Sequence, residues 1–387
     1  MGPHGCPACR MAATGRGGGE EIVSGKETIP SQPAPGRAAI HVRTMTGGEE
    51  TDWNAYVARH EDGGFFHRAQ WSRAFQDGFG YETFYLLAER EDPESSGPLI
   101  CGVLPLVAIR SRLFGSRLVS LPFLPEAGVL AEDEAVVEAL AHRARALASE
   151  RGFAWVEYRS GKPRIPDSQA VTGRYADFVA EIAADPQARL KAIPRKQRAC
   201  VRKSLKLGLD HYVTREIEPF LTLYLRNLHH HGTPAFPRRW FSALLAVFPE
   251  DSLDILVVTH QGEPVSAVMS FYEGETVLPY YAGTAPVARR LFAHDYMYWA
   301  LMAHAWERGC RRFDFGRSRV DSGPYHYKRH WGFAPRELVY QYDLVTAGEP
   351  PDMRPENRRY RLFVQMWRKL PFALANRLGP LVVKGLG

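Results

Sequence analysis

The chain of 387 residues is longer than one ordinary domain, and its 45% hydrophobic and 24% charged residues give globular material for two cores. Its net charge of +6 is uneven: residues 354–387 hold Arg354, Arg358, Arg359, Arg361, Arg368, Lys369, Arg377 and Lys384 against Glu356, which leaves the remainder one charge negative. That pattern excludes a uniformly basic DNA-binding protein, and no apolar run approaches the ~18–20 residues of a membrane helix.

Residues 1–37 are rich in Gly, Pro and Ser without periodicity and read as a disordered tail. They lack the apolar core of a signal peptide, and five cysteines suit a reducing compartment, so a cytoplasmic protein is expected. Cys6 and Cys9 form a lone C-x-x-C with no second pair, which argues against a metal site. Cys101, Cys200 and Cys310 read as small buried fillers.

From there a strand is predicted at 39–42, helices near 53–59 and 69–75, and a hairpin of strands at 84–88 and 100–109 around Gly97-Pro98. A strand at 118–123, a helix from Asp133 to Glu150 capped by Gly152, and a strand at 153–158 follow. The second half repeats the order. Strands at 253–259 and 265–272 flank the Gln261-Gly262 turn, and a third at 276–281 leads to a helix at 292–308 and a strand at 311–316.

The copies match at an offset of 157: Leu121-Pro122-Phe123 falls on Leu278-Pro279-Tyr280, Glu150-Arg151-Gly152 on Glu307-Arg308-Gly309, and Glu157-Tyr158 on Asp314-Phe315. An α/β (α+β) fold of two tandem units is therefore predicted, at 38–165 and 166–347, each a mixed, largely antiparallel sheet flanked by helices. A basic amphipathic segment, 348–387, closes the chain.

Several motifs resemble the FemAB-type transferases, whose fold is a pair of GNAT-like acyltransferase domains. They are Pro194-Arg195-Lys196-Gln197-Arg198 with Val201-Arg202-Lys203, Gly232-Thr233-Pro234, Tyr281-Ala282-Gly283-Thr284, Phe313-Asp314-Phe315-Gly316-Arg317-Ser318, and Tyr327-Lys328 before Trp331-Gly332-Phe333. The likeness is greatest to the branch found with exosortase/PEP-CTERM and exopolysaccharide systems. It implies an N-acyltransferase acting on a cell-envelope or exopolysaccharide precursor, with acyl-CoA or aminoacyl-tRNA as donor and no tightly bound cofactor or metal. It also implies that Lys328 stands near the reacting carbonyl, and that Tyr280 and Tyr281 sit where the sheet opens to the donor. The glycine loop that cradles CoA pyrophosphate in GNAT enzymes is missing. The stretch Ala285–Ala293 contains Arg289 and Arg290 instead, and a donor held by those arginines stays open.

The residues themselves add detail. On a helical wheel Arg195, Arg198, Arg202 and Lys206 form one stripe with Lys196 and Lys203 beside it, a face suited to phosphate or polyanion binding, tRNA included. Asp314, between two aromatics on a strand, reads as a general base or as the ion-pair partner of Arg317. Lys328, Asp314 and Tyr281 are thus the catalytic candidates. Arg195, Arg198, Arg202, Lys203, Tyr280, Arg289, Arg317 and Ser318 are the binding candidates. His229-His230-His231 cannot share one helix face, so no metal is expected there. Residues 360–378 read as a basic amphipathic helix interrupted by Pro371, open to two roles: lying on an anionic membrane at its inner face, or packing back on the domains. A non-catalytic peripheral-membrane or binding protein is the alternative function.

Overall fold

A computed structural model describes residues 39–91, 97–112, 114–349 and 358–386. The tail 1–37 with Cys6 and Cys9, together with Arg354 and Glu356, lies outside them. The first half runs β1 (Ile40–Thr44), α1 (Glu50–Arg59), a 3-10 turn (Phe65–His67), α2 (Gln70–Phe79), β2 (Thr83–Arg90), β3 (Leu99–Ile109), β4 (Arg117–Val119), β5 (Leu130–Ala131), α3 (Glu134–Glu150) and β6 (Trp155–Ser160). The middle comprises β7 (Gln169–Glu181), α4 (Pro186–Ala192), α5 (Arg195–Ser204), β8 (Leu209–Thr214), α6 (Ile217–His231) and α7 (Arg238–Val247). Then come β9 (Leu253–His260), β10 (Glu263–Glu273), β11 (Thr276–Thr284), α8 (Ala288–Leu291), α9 (Ala293–Glu307), β12 (Arg312–Asp314), β13 (Ser318–Arg319), α10 (Gly323–His330), β14 (Pro335–Leu344), α11 (Arg358–Lys369) and α12 (Phe372–Leu386).

Local chemistry explains the repeated elements. Asp133 caps α3 by accepting the Val136 N–H at 3.1 Å, and Val136, Val137, Leu140, Ala144 and Leu147 put one face of the helix in the core. Gln261 and Gly262 both take positive φ, as a two-residue hairpin requires between β9 and β10. Side chains alternate along the strands between two packed faces. In β9 and β10, Ile255, Val257, Ala267, Met269 and Phe271 enter a central core, while Leu256, Val258, Val265 and Val268 enter a second core with α9. In β2 and β3, Tyr85, Leu87, Val103 and Val107 join the same central core, and Leu86, Leu104 and Leu106 pack with α3. Both halves therefore share one aromatic interior, where α2 meets α7 and Trp71 and Trp240 stack at 6.3 Å.

The strands form one sheet in the order β1-β2-β3-β4-β6-β14-β7-β12-β11-β10-β9-β8, with β5 on β3 and β13 on β7. β4 runs parallel to β6 and β11 parallel to β12, while the remaining pairs are antiparallel. Each unit thus has a four-strand antiparallel meander, a helix and a parallel strand. Beyond the parallel strand the two halves exchange their next strands. β7 leaves β6 and pairs with β12 of the second half, and β14 leaves the second half and pairs with β6 of the first. The two exchanged strands pair with each other, so the sheet is continuous across the middle of the molecule.

Candidate active site

The site is built where the exchanged strands meet the end of β12. On β7 Asp177 lies directly opposite Arg336 of β14, and it is buried. Arg336 Nη2 donates to Asp177 Oδ2 at 3.1 Å and to Glu126 Oε2 at 2.6 Å. Past Asp314 the chain turns out of the sheet and returns at β13. Gly316, at φ 66°, makes this turn possible, and its N–H donates to Asp314 Oδ1 at 2.7 Å. Lys328 reaches in from α10, a helix that Ser322 opens by accepting the Tyr325 N–H at 3.3 Å. Its Nζ donates to the carbonyls of Gly316 at 2.7 Å and Arg317 at 3.2 Å and lies 5.3 Å from the Phe178 ring centre. Two of its three N–H bonds are thus committed to the turn.

Burial acts in opposite directions on the acid and on the amine. Burial pushes the Asp314 carboxyl well above the carboxylate range, and the neighbouring Asp177 pushes it further. Burial lowers Lys328 to about 8, against the attraction of Asp177 and Asp314. A raised acid beside a lowered amine is the pattern that acid–base catalysis uses. The first copy offers a contrast. Glu157, at the place of Asp314, pairs with the buried Arg159 at 2.8 Å.

Of the residues singled out from sequence, Asp314, Arg317, Ser318 and Lys328 come together. Arg317 is not the ion-pair partner of Asp314: Nη1 donates to Tyr340 Oη at 2.6 Å, and the guanidinium stacks 4.5 Å from the Tyr175 ring. The Ser318 Oγ is buried with no hydrogen-bond partner. Tyr280 and Tyr281 are consecutive on β11, and regular strand alternation would put them on opposite faces. A β-bulge aligns Met269 with Tyr281 and Ser270 with Pro279, which makes Tyr280 the extra residue, and both rings lie against the central core 4.9 Å apart. Tyr280 Oη donates to the Phe123 carbonyl at 3.0 Å. Tyr281 is buried among aromatic side chains and accepts from Trp240 Nε1 at 3.0 Å, so it is not brought to the acid–lysine cluster. Gly283, from the same motif, serves close packing: a Cβ there would collide with the Tyr224 backbone of α6.

The basic helix α5 keeps Gln197, Val201 and Ser204 buried and exposes Arg195, Lys196, Arg202 and Lys203, with Lys206 exposed just past its end. Arg198 departs from the expected anion-binding role. Its Nε and Nη2 donate to the carbonyls of Ile193 and Lys191 at 3.0 and 2.9 Å, closing the end of α4. Gln197 and Tyr327 both donate to the buried Asp295, which ties α5 to α10 through α9 and so places the basic helix beside the helix that carries Lys328. Arg289 is exposed on α8, and Lys203 lies 5.5 Å from the Phe292 ring. His229 Nε2 lies 2.9 Å from the Leu370 carbonyl, and no group of three metal-ligating side chains occurs among the described residues.

Sequence reasoning missed Asp177, Tyr175, Arg336 and Tyr340, all on the exchanged strands. The alternation of Leu338, Tyr340 and Tyr342 with Gln341 and Asp343 was a strand signal that could have located β14.

Comparison with known proteins bears on the fold. A family profile described as acetyltransferase (GNAT) domain matches residues 187–329. The solved structure of FemX superposes with a TM-score of 0.59 at 13% identity, covering 77% of this chain and 96% of that one. A tandem GNAT protein from the clavulanic acid biosynthesis pathway gives 0.53 at 10% identity, covering 80% and 100%. No curated protein sequence matches. The chain therefore carries a GNAT/FemAB-like fold of two tandem units, and the match to the GNAT acetyltransferase profile lies in its second half.

Proposed function

We propose that this protein is an acyltransferase that moves an acyl group from a thioester donor to an amine or hydroxyl of a cell-envelope or exopolysaccharide precursor. The observation that carries the reading is the convergence of Asp314 and Lys328 beside the buried Asp177, where burial raises the proton affinity of the acid and lowers that of the lysine. The acceptor attacks the donor carbonyl, and Asp314 takes its proton as the new C–N or C–O bond forms. The third N–H of Lys328 faces the developing oxyanion, and the proton passes to the sulfur as the C–S bond breaks. No covalent enzyme intermediate is required. In this reading Arg289 and Arg290, exposed at the turn before α9, bind the donor's phosphates.

One observation favours a second donor. The exposed basic face of α5, with no acidic residue in the helix, suits the backbone of an aminoacyl-tRNA. Titration of the full chain with acetyl-CoA and with charged tRNA separates the two. Acetyl-CoA binding weakened by Arg289→Ala supports the thioester donor. Binding of tRNA alone, lost when Arg195 and Arg202 are reversed to Glu, supports the aminoacyl donor. Binding of neither removes the enzymatic reading.

A further inference from the structure

The C-terminal helices present an outward face that the acyl-transfer reading does not use. Between positions 358 and 386 the sequence has seven Lys or Arg residues and no Asp or Glu. Pro371 separates α11 from α12, and the second helix continues to Leu386 with Pro380 inside it. Neither helix is long and apolar enough to cross a membrane.

Both helices are fixed to the body. Trp367 of α11 is buried, and Arg368 Nη2 donates to the His231 carbonyl at 3.2 Å. On α12, Ala375, Gly379 and Val383 recur every fourth residue and face inward. A Cβ at Gly379 would stand 3.1–3.2 Å from the Ala235 backbone, so the glycine permits a close approach. Tyr81 Oη donates to the Lys384 carbonyl at 2.9 Å, and Arg117 donates to that of Leu386.

The other side of this rigid pair is apolar and basic at once. Leu374, Leu378 and Leu381 follow a three-to-four spacing around Arg377. Leu381 is 72% exposed, Met366 65% and Leu374 42%. Arg368, Lys369, Arg377 and Lys384 are exposed alongside them. Exposed large apolar side chains set among cations match the surface of an anionic bilayer, where leucines enter the acyl boundary and lysines and arginines meet the headgroups. A second copy of this chain is a poor occupant, because it would bring the same cations against these.

We infer that α11 and α12 form a docking surface for an anionic phospholipid membrane, seated through Met366, Leu374 and Leu381 and selected by Lys369 and Arg377. The inference is independent of the acyl-transfer reading: Lys328→Met leaves this face intact and is expected to bind vesicles as the parent chain does.

The test is sedimentation of the full chain with vesicles of phosphatidylglycerol and phosphatidylcholine in equal parts, and with phosphatidylcholine alone. The protein is expected to sediment with the mixed vesicles only, and less as salt rises. Leu374→Ser with Leu381→Ser, both at exposed positions, lowers the partition coefficient by roughly tenfold or more at unchanged Tm. Lys369→Glu with Arg377→Glu removes the preference for anionic vesicles. Sedimentation with neither vesicle, equal sedimentation with both, or parent-like binding by the C-terminal variants overturns the inference. So does loss of binding through Arg195→Glu with Arg202→Glu on α5 while the C-terminal variants still bind.

Discussion

Replacing Lys328 by Met removes a buried ammonium while keeping the length of the side chain. Burial lowers the lysine from 10.5 to about 8, so the folded protein gives up this proton more readily than the unfolded chain does. Below pH 8 both states hold the proton. Between 8 and 10.5 the unfolded chain holds it and the folded one does not, so the stability of the parent protein rises with pH across that window. A shift of this size corresponds to about 3 kcal/mol in full, of which roughly 1.5 kcal/mol develops between about pH 8 and pH 9.5. Lys328→Met lacks the slope. Urea unfolding of both proteins at intervals through this range gives the difference in stability, which cancels other titrating groups common to the two. A difference that grows by roughly 1.5 kcal/mol supports a desolvated lysine beside the two acids. A difference constant with pH refutes it, and with it the argument that this cluster holds a transferable proton.

Buried histidines add a second pH dependence. His67 and His294 are held by burial at about 4, so acidification from 6.5 toward 4 protonates the unfolded chain first and lowers stability. The loss is about 3 kcal/mol for each, and unfolding curves of His67→Gln and His294→Leu show a correspondingly smaller decline. Gly283→Ala drives a methyl into the Tyr224 backbone and is expected to destabilise by about 3 kcal/mol, read as a fall in Tm; an unchanged Tm contradicts the packing of α6 on β11. A fragment of residues 39–165 lacks β14, which should leave β6 with an exposed edge. It is expected to aggregate when expressed alone, whereas a soluble fragment with cooperative unfolding contradicts the strand exchange.

The parts of the fold that were legible in the sequence are those with a local signature. The helix from Asp133 to Glu150 follows from its cap and its apolar spacing, and the β9–β10 hairpin from Gln261-Gly262. The offset of 157 relates α3 to α9 and β6 to β12. Earlier elements depart from it through unequal loops: β2 begins at Thr83 and β9 at Leu253. The exchange of β7 and β14 has no local signature, because pairing between distant strands depends on the whole sheet. The parity of Tyr280 and Tyr281 failed for a related reason: one bulge inserts a residue and shifts every neighbour's face. The site shows the same division. Asp314 and Lys328 lie in contiguous motifs and could be named. Asp177 and Arg336 become neighbours only when the exchanged strands align. Arg198 was legible as a cation on a basic face, but nothing local revealed that the carbonyls ending α4 would occupy it.

The central claim is that the Asp314–Lys328 cluster performs acyl transfer, and thiol release tests it most directly. The full chain is incubated with acetyl-CoA and a panel of amine and hydroxyl acceptors, and free CoA thiol is followed for the parent, Asp314→Asn and Lys328→Met. The account predicts acceptor-dependent release by the parent that falls by roughly 10²–10³-fold in Asp314→Asn, with Tm retained. Release of equal rate in parent and Asp314→Asn would contradict it.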